Sequence, residues 1–195
     1  MAKKAKTKAK PRKANKTRAK ASKATANKVK AKIQPVPKGF HTITPHLNVR
    51  DATQALNFYK RAFDAVETVR MPGPGGKILH AEIRIGDSHL FLADEMPEWG
   101  SRSPQTIGGT ATAICLYVDD ADAVFNQAVS AGAKVVMPLA DQFWGDRYGK
   151  LADPFGHEWA VATHLEDLTP EEMKKRQEIA MAQMSQRPQG QPQGS

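Results

Sequence analysis

Laid over itself with an offset of 69 residues, the chain aligns Val49-Arg50-Asp51-Ala52 with Val118-Asp119-Asp120-Ala121, Ala62 with Ala131 and Val66 with Val135. Self-similarity at a fixed period means that one supersecondary unit occurs twice. In the first copy Thr42 to Val49 alternates apolar and polar residues as a strand does, and Asp51 can cap a helix whose apolar positions Ala55, Leu56, Tyr59, Ala62 and Phe63 recur at helical spacing. Ala65 to Met71 reads as a second strand, Pro72-Gly73-Pro74-Gly75-Gly76 as its turn and Ile78 to Ile85 as a third strand. Gly86-Asp87 is a hairpin signal before a fourth strand at His89-Leu90-Phe91-Leu92.

The second copy repeats the order. Ala111 to Val118 precedes Asp119-Asp120 and a helix that turns Ala121, Val124, Phe125, Ala128 and Val129 inward. Strand Lys134 to Leu139, a loop Trp144-Gly145-Asp146-Arg147-Tyr148-Gly149, a short strand, the turn Asp153-Pro154-Phe155-Gly156 and strand His157 to Thr163 follow. The fold class expected is α+β, with two tandem strand–helix–three-strand units forming one curved mixed sheet. Thr169-Pro170-Glu171-Glu172 then opens a last helix, with Thr169 as cap, Pro170 at the first position and acids in the first turn.

Charge separates the ends from this body. The chain carries +9, yet Met1 to Lys38 holds 15 of its 29 Lys/Arg and no Asp or Glu, which leaves 14 basic and 20 acidic residues, a net of −6, for the rest. The first 38 residues are mostly Ala, Lys, Thr, Asn and Ser and bury too little apolar surface to offset the entropy of ordering, so a disordered basic tail is expected there. Residues 39–168 make the domain, with units at about 40–95 and 110–165. Residues 169–185 make the last helix, and 186–195, mostly Gln, Pro and Gly, a second disordered tail.

No run approaches the roughly 18 consecutive apolar residues of a membrane span, and the N-terminus has no apolar core of a secretory signal. The single cysteine, Cys115, excludes an intrachain disulfide and suits a reducing, cytoplasmic compartment. No membrane partner is expected.

The duplicated unit with Asp-Pro-x-Gly-His before its last strand resembles the vicinal oxygen chelate superfamily, also known as the glyoxalase/bleomycin-resistance/dioxygenase superfamily. His41-Thr42-Ile43-Thr44-Pro45-His46-Leu47, Asn57-Phe58-Tyr59 and Trp144-Gly145-Asp146-Arg147-Tyr148-Gly149 through His157 look like its PhnB-like branch. The superfamily hosts isomerases, lyases, dioxygenases, thiol transferases and drug-sequestering proteins, so the resemblance implies a fold and leaves open whether the chain is an enzyme.

In metal-dependent members each unit supplies one ligand from its first strand and one from its last. Carried onto this sequence, those places are Thr44, Leu90, Ala113 and Ala160, none a ligand that a divalent ion takes. The resemblance therefore implies a small-molecule pocket without the usual metal and with no other cofactor. Thr44, His46, Ala113, Cys115 and Ala160 would line its floor. Trp144 and Arg147 would form its rim, with the Arg147 fork open to a carboxylate or phosphate and Asp146 orienting it.

Two alternatives stay open. Alternation puts His80, Glu82 and Arg84 on one face of their strand, so His46, His80 and Glu82 can be drawn as a displaced divalent-metal site serving a lyase, isomerase or dioxygenase. Solvent-facing polar residues give the same pattern. His89 and His164 have weaker claims, and His157 belongs to the turn motif. The other alternative places function in Lys3 to Lys38, whose charge attracts nucleic-acid phosphates without regard to sequence. A homodimer is also expected, because members of the superfamily commonly pair and a curved sheet leaves edges for a partner.

Overall fold

The computed structural model describes Met1 and residues 33–186. The expectations for residues 2–32 and 187–195 lie outside the described residues. The compact body begins at Pro35, four residues earlier than the domain start expected from sequence. Residues 35–40 fold with it because a turn from Pro37 to Phe40 sets the Phe40 ring on His89, with centroids 4.2 Å apart.

Each unit runs strand, helix, three strands. The first comprises β1 (His46–Val49), α1 (Ala52–Phe63), β2 (Val66–Pro72), β3 (Ile78–Ile85) and β4 (Ser88–Asp94). A short helix, α2 (Pro104–Ile107), lies in the connection. The second comprises β5 (Ala113–Tyr117), α3 (Ala121–Ala131), β6 (Lys134–Asp141), β7 (Asp146–Ala152) and β8 (Glu158–His164), and α4 (Pro170–Ser185) ends the described chain. β1 starts four residues later than the alternation in sequence suggests. Pro45 has no amide to give a ladder, and its carbonyl accepts from the Phe91 amide over 2.8 Å.

The strands form two four-stranded sheets, ordered β1-β4-β3-β2 and β5-β8-β7-β6. Each first strand lies parallel to its last, and the other pairings are antiparallel. The curved surface is thus made of two four-stranded mixed sheets, one from each unit. Pro45 and Ile114 line both clefts that separate them.

The 69-residue offset holds in atomic detail. Asp51 accepts from the Gln54 amide and Asp120 from the Ala123 amide, both over 2.9 Å, and the two caps share one backbone conformation (φ/ψ −139/92° and −137/94°). The next amide is served by the end of the sheet in both units: Ala52 donates to Asp94 over 2.9 Å, and Ala121 donates to the Thr163 hydroxyl over 2.8 Å. Register repeats too, since His46 pairs with Phe91 and Cys115 with Ala160.

α1 and α3 each cover one face of their own sheet and pack on one another. The helical spacing of α1 is realised, with Ala55, Leu56, Tyr59, Ala62 and Phe63 all buried. In α3, Ala121, Phe125 and Ala128 are buried, but Val129 is exposed, contrary to the inward place expected for it. Phe125 lies so close to β7 that a Cβ at Gly149 would meet its ring at 2.7 Å and the Leu139 backbone at 2.9 Å. Only glycine allows that approach.

Candidate functional site

The helices cover one face of each sheet and leave the other open. On β5, Ala113, Cys115 and Tyr117 are exposed, while Ile114 and Leu116 point toward the core side. Directly paired residues share a face, so Glu158, Ala160 and Ala162 of β8 and Tyr148 and Lys150 of β7 complete the open side of the second sheet. In the first sheet His46, Phe91 and Glu82 lie in one row, with His80 and His89 on the same side. Between the first strands of the two units lies a cleft of about 300 Å³ lined by His46 and Asn48 from β1, Thr112 and Ile114, and Glu158 from β8.

Asp146 organises the second open face. It heads β7 and is 5% exposed, and its carboxylate accepts from the Tyr117 hydroxyl (2.9 Å), Trp144 Nε1 (3.1 Å) and His164 Nδ1 (2.8 Å). Burial opposes its charge, but hydrogen bonds from His164, Tyr117 and Trp144 outweigh burial and hold it below the usual aspartate range. The same bond makes the Tyr117 phenol harder to ionise. Trp144 meets Tyr148 edge to face at 5.6 Å and Phe143 at 5.1 Å. Tyr117 and Tyr148 flank Ala162 in one row across the open side, and Trp144 meets Tyr148 from the end of β7. Cys115 lies in the neighbouring row beside Ala160, with its thiol raised by burial and by the Asp146 charge.

Arg147 does not belong to this group. Strand alternation sends it to the opposite side of β7 from Asp146. There its Nε and Nη2 grip Asp122 of α3, the latter over 2.7 Å, and Nη1 donates to Asp141 over 2.8 Å. The guanidinium is raised further by these bonds, and its fork is already filled by two carboxylates. The sequence treats Asp146, Arg147 and Tyr148 as loop; they are strand, so Asp146 cannot orient Arg147.

The other expected residues divide as follows. Thr44 lies beside Phe91, Glu82 and Phe40. His46, Ala113, Cys115 and Ala160 share the open side, with Ala160 buried beneath its neighbours. Leu90 is turned into the core, and the open side of β4 carries His89 and Phe91 instead. His157 does make a structural bond, its Nε2 lying 3.2 Å from the Asn48 carbonyl of β1.

Phe40, Tyr117 and His164 complete the open faces and were missing from the expected pocket lining. Alternation from Cys115 finds Tyr117. Nothing in a Pro-rich linker signals that Phe40 stacks on His89.

A divalent metal does not fit the four places expected for its ligands. Thr44, Ala113 and Ala160 offer no imidazole, carboxylate or thiolate, and the fourth place faces inward. The displaced set fares no better. His80 and Glu82 approach to 3.3 Å and the rings of His46 and His80 are edge to face at 6.4 Å. Among the described residues, no three His, Cys, Asp or Glu side chains converge on one ion. Burial and the neighbouring His80 lower the His46 pKa, so His46 is neutral near pH 7. Among the described residues, no helix is long and apolar enough to cross a membrane.

This geometry has counterparts. Over 135 residues the chain is 47% identical to Mb0911c, an uncharacterised protein of Mycobacterium bovis, spanning 68% of this chain and 89% of that one. The crystal structure of TioX from Micromonospora sp. ML1 superposes with a TM-score of 0.52 at 28% identity, over 63% of this chain and 98% of that one. A PhnB protein from Bacillus cereus shares the fold with a TM-score of 0.50 at 20% identity, over 63% of this chain and 99% of that one. Residues 39–161 match the Glyoxalase/Bleomycin resistance protein/Dioxygenase superfamily, and with both repeats, their register and their paired caps in place, the chain belongs to that superfamily.

Proposed function

We propose that the chain binds a small, flat organic ligand on the open side of its sheets without a divalent metal. The observation that carries this reading is the buried Asp146 carboxylate, which fixes two of three aromatic rings on the same open side as Ala113, Cys115 and Ala160. Rings held by hydrogen bonds at their polar edges offer their faces to an apolar partner at little entropic cost. Thr44 and His46 line the open side of the first unit, and Lys150 and Glu158 supply one charge of each sign on the second. Arg147 has no part in it.

The test is quenching of tryptophan emission by a flat aromatic dye such as anilinonaphthalene sulfonate, in the whole protein and in Trp144→Ala. Loss of one stacked ring should weaken binding by about tenfold, or roughly 1.4 kcal/mol. Equal affinity in both proteins defeats the reading. So does elemental analysis that finds about one equivalent of zinc, nickel, manganese or iron per chain and loses it with His46→Ala.

A second reading rests on charge distribution. Fifteen cations and no anions in Met1 to Lys38, on a remainder of net −6, suit weak, sequence-independent attachment to nucleic acid. Whole protein should retard duplex DNA at low salt, with log affinity falling by about 0.9 per phosphate neutralised as log salt rises. Deleting Met1 to Gln34, the segment ahead of the compact body, should abolish the retardation, and persistence in the truncated protein rejects the reading.

A further inference from the structure

We propose that His164 is a proton-dependent clasp that fastens the start of α4 to the aromatic site and releases it as pH rises. His164 ends β8, with Nδ1 2.8 Å from the buried Asp146 carboxylate and Nε2 3.0 Å from Asp167, in the segment that leads into α4. Both partners are acceptors. A neutral imidazole has one N–H and serves one of them; only the imidazolium serves both.

The order of events follows from burial. Asp146 is almost enclosed, so it retains the Nδ1 proton, whereas Asp167 is fully exposed. Deprotonation therefore takes the Nε2 proton, leaves a lone pair facing a carboxylate, and frees Asp167. Three further groups touch the cluster through Asp146: the Tyr117 hydroxyl and Trp144 indole by hydrogen bonds, and Cys115 by charge. Tyr148 stands beyond them, against Trp144. From α4, Arg176 is engaged by Glu166 over 2.6 and 2.9 Å and so is not directed at the imidazole. Arg147, Asp122 and Asp141 lie on the other side of β7.

What the clasp holds is a helix that rests on the body through half-buried side chains only, Met173, Arg176 and Ala180. None of the α4 side chains is buried. Tethers in the preceding segment add to that contact: the amides of Leu165 and Glu166 on the Gly145 carbonyl, at 2.9 and 3.2 Å, the Glu166–Arg176 pair and the Asp167 bond. Gly145 permits this approach, because its φ is +94° and a Cβ there would lie 2.5 Å from the Glu166 carbonyl oxygen. Of these tethers, Asp167 depends on the proton of His164.

The sign is set by the same geometry. Bonds to Asp146 and then Asp167 raise the His164 pKa above its usual 6.5. The clasp is complete at and below about pH 6.5 and opens as pH rises through the folded-state value.

The inference stands apart from the ligand proposal, and its test uses no ligand. Long-range proton–nitrogen correlation spectra of the whole protein should show both His164 ring nitrogens protonated below a midpoint above about 6.5. Amide exchange, corrected for intrinsic base catalysis, should accelerate from Leu168 to Met173 with the same midpoint. Asp167→Asn, a surface change, should lower that midpoint by on the order of half a unit or more and remove the coupled exchange step. Exchange that stays flat through the His164 transition, or a midpoint unmoved in Asp167→Asn, overturns the clasp. His164→Gln, which cannot titrate, should show no step, and a step that persists there has the same consequence.

Discussion

The Tyr59 hydroxyl donates to the Asp153 carboxylate over 2.7 Å and so bolts α1 of the first unit to the β7–β8 turn of the second. Asp153 also accepts from Trp159 Nε1 and from the amides of Phe155 and His157, each over 2.9 Å. The Asp-Pro-x-Gly-His motif is thus a structural hub joining the repeats. Burial first, then Asp153, pushes the Tyr59 phenol far above its usual pKa, so it remains a donor.

Removing that one donor should be costly. Tyr59→Phe is expected to lose about 1.5–3 kcal/mol in urea unfolding, the range for a hydrogen bond to a charged group. Combined with Asp153→Asn, the losses should fall short of additive, because both changes break one contact. A loss in Tyr59→Phe below about 0.5 kcal/mol removes Asp153 from its place as the bolt between units.

Acid should weaken the connection between the units at Glu95. The Ser103 amide, then the hydroxyls of Thr106 and Ser103 and the Arg50 charge, hold its pKa down to about 2 against partial burial. A depressed carboxylate contributes stability that is present above its unfolded value, near 4.5, and is lost as pH falls toward 2. Glu95→Gln should flatten the stability profile across that window by up to about 3 kcal/mol. Thermal melts at a series of pH values will show it, and parallel curves for both proteins count against it.

Arg147→Ala should leave binding of an anionic dye within about twofold, because its fork is filled by Asp122 and Asp141. Both partners are exposed, so stability should fall by less than about 1 kcal/mol. A tenfold loss of dye binding with an unchanged melting temperature would return Arg147 to the ligand.

Two copies should associate. β2 ends the first sheet with Val66, Val69 and Met71 exposed, and an apolar free edge favours a partner. Light scattering at micromolar concentration should give twice the chain mass, and Val69→Lys should shift it toward one. A monomer mass in the unaltered protein refutes the pairing.

Much of the fold was legible because local signals agreed with the repeat. The cap Asp51 needed only a polar side chain before an apolar helical period, and Thr169 only Pro170 and the acids of the first turn after it. β3 was bounded correctly at Ile78 and Ile85 by its alternation and flanking turns. The site was less legible. The sequence offers Arg147 as a fork open to a ligand, because it does not show that the guanidinium meets Asp122, 25 residues away.

The sequence by itself determined the duplication and the charge divide at the N-terminal segment, and the order of the strands and the apolar face of α1 followed from spacing within a few turns of chain. Only the tertiary structure decided that Asp146 gathers Tyr117, Trp144 and His164, that Leu90 faces the core and that Tyr59 meets Asp153 across 94 residues. Strand register and the packing of α1 against α3 set those meetings. Register depends on which strands pair, and this is a property of the assembled sheet that no single segment encodes.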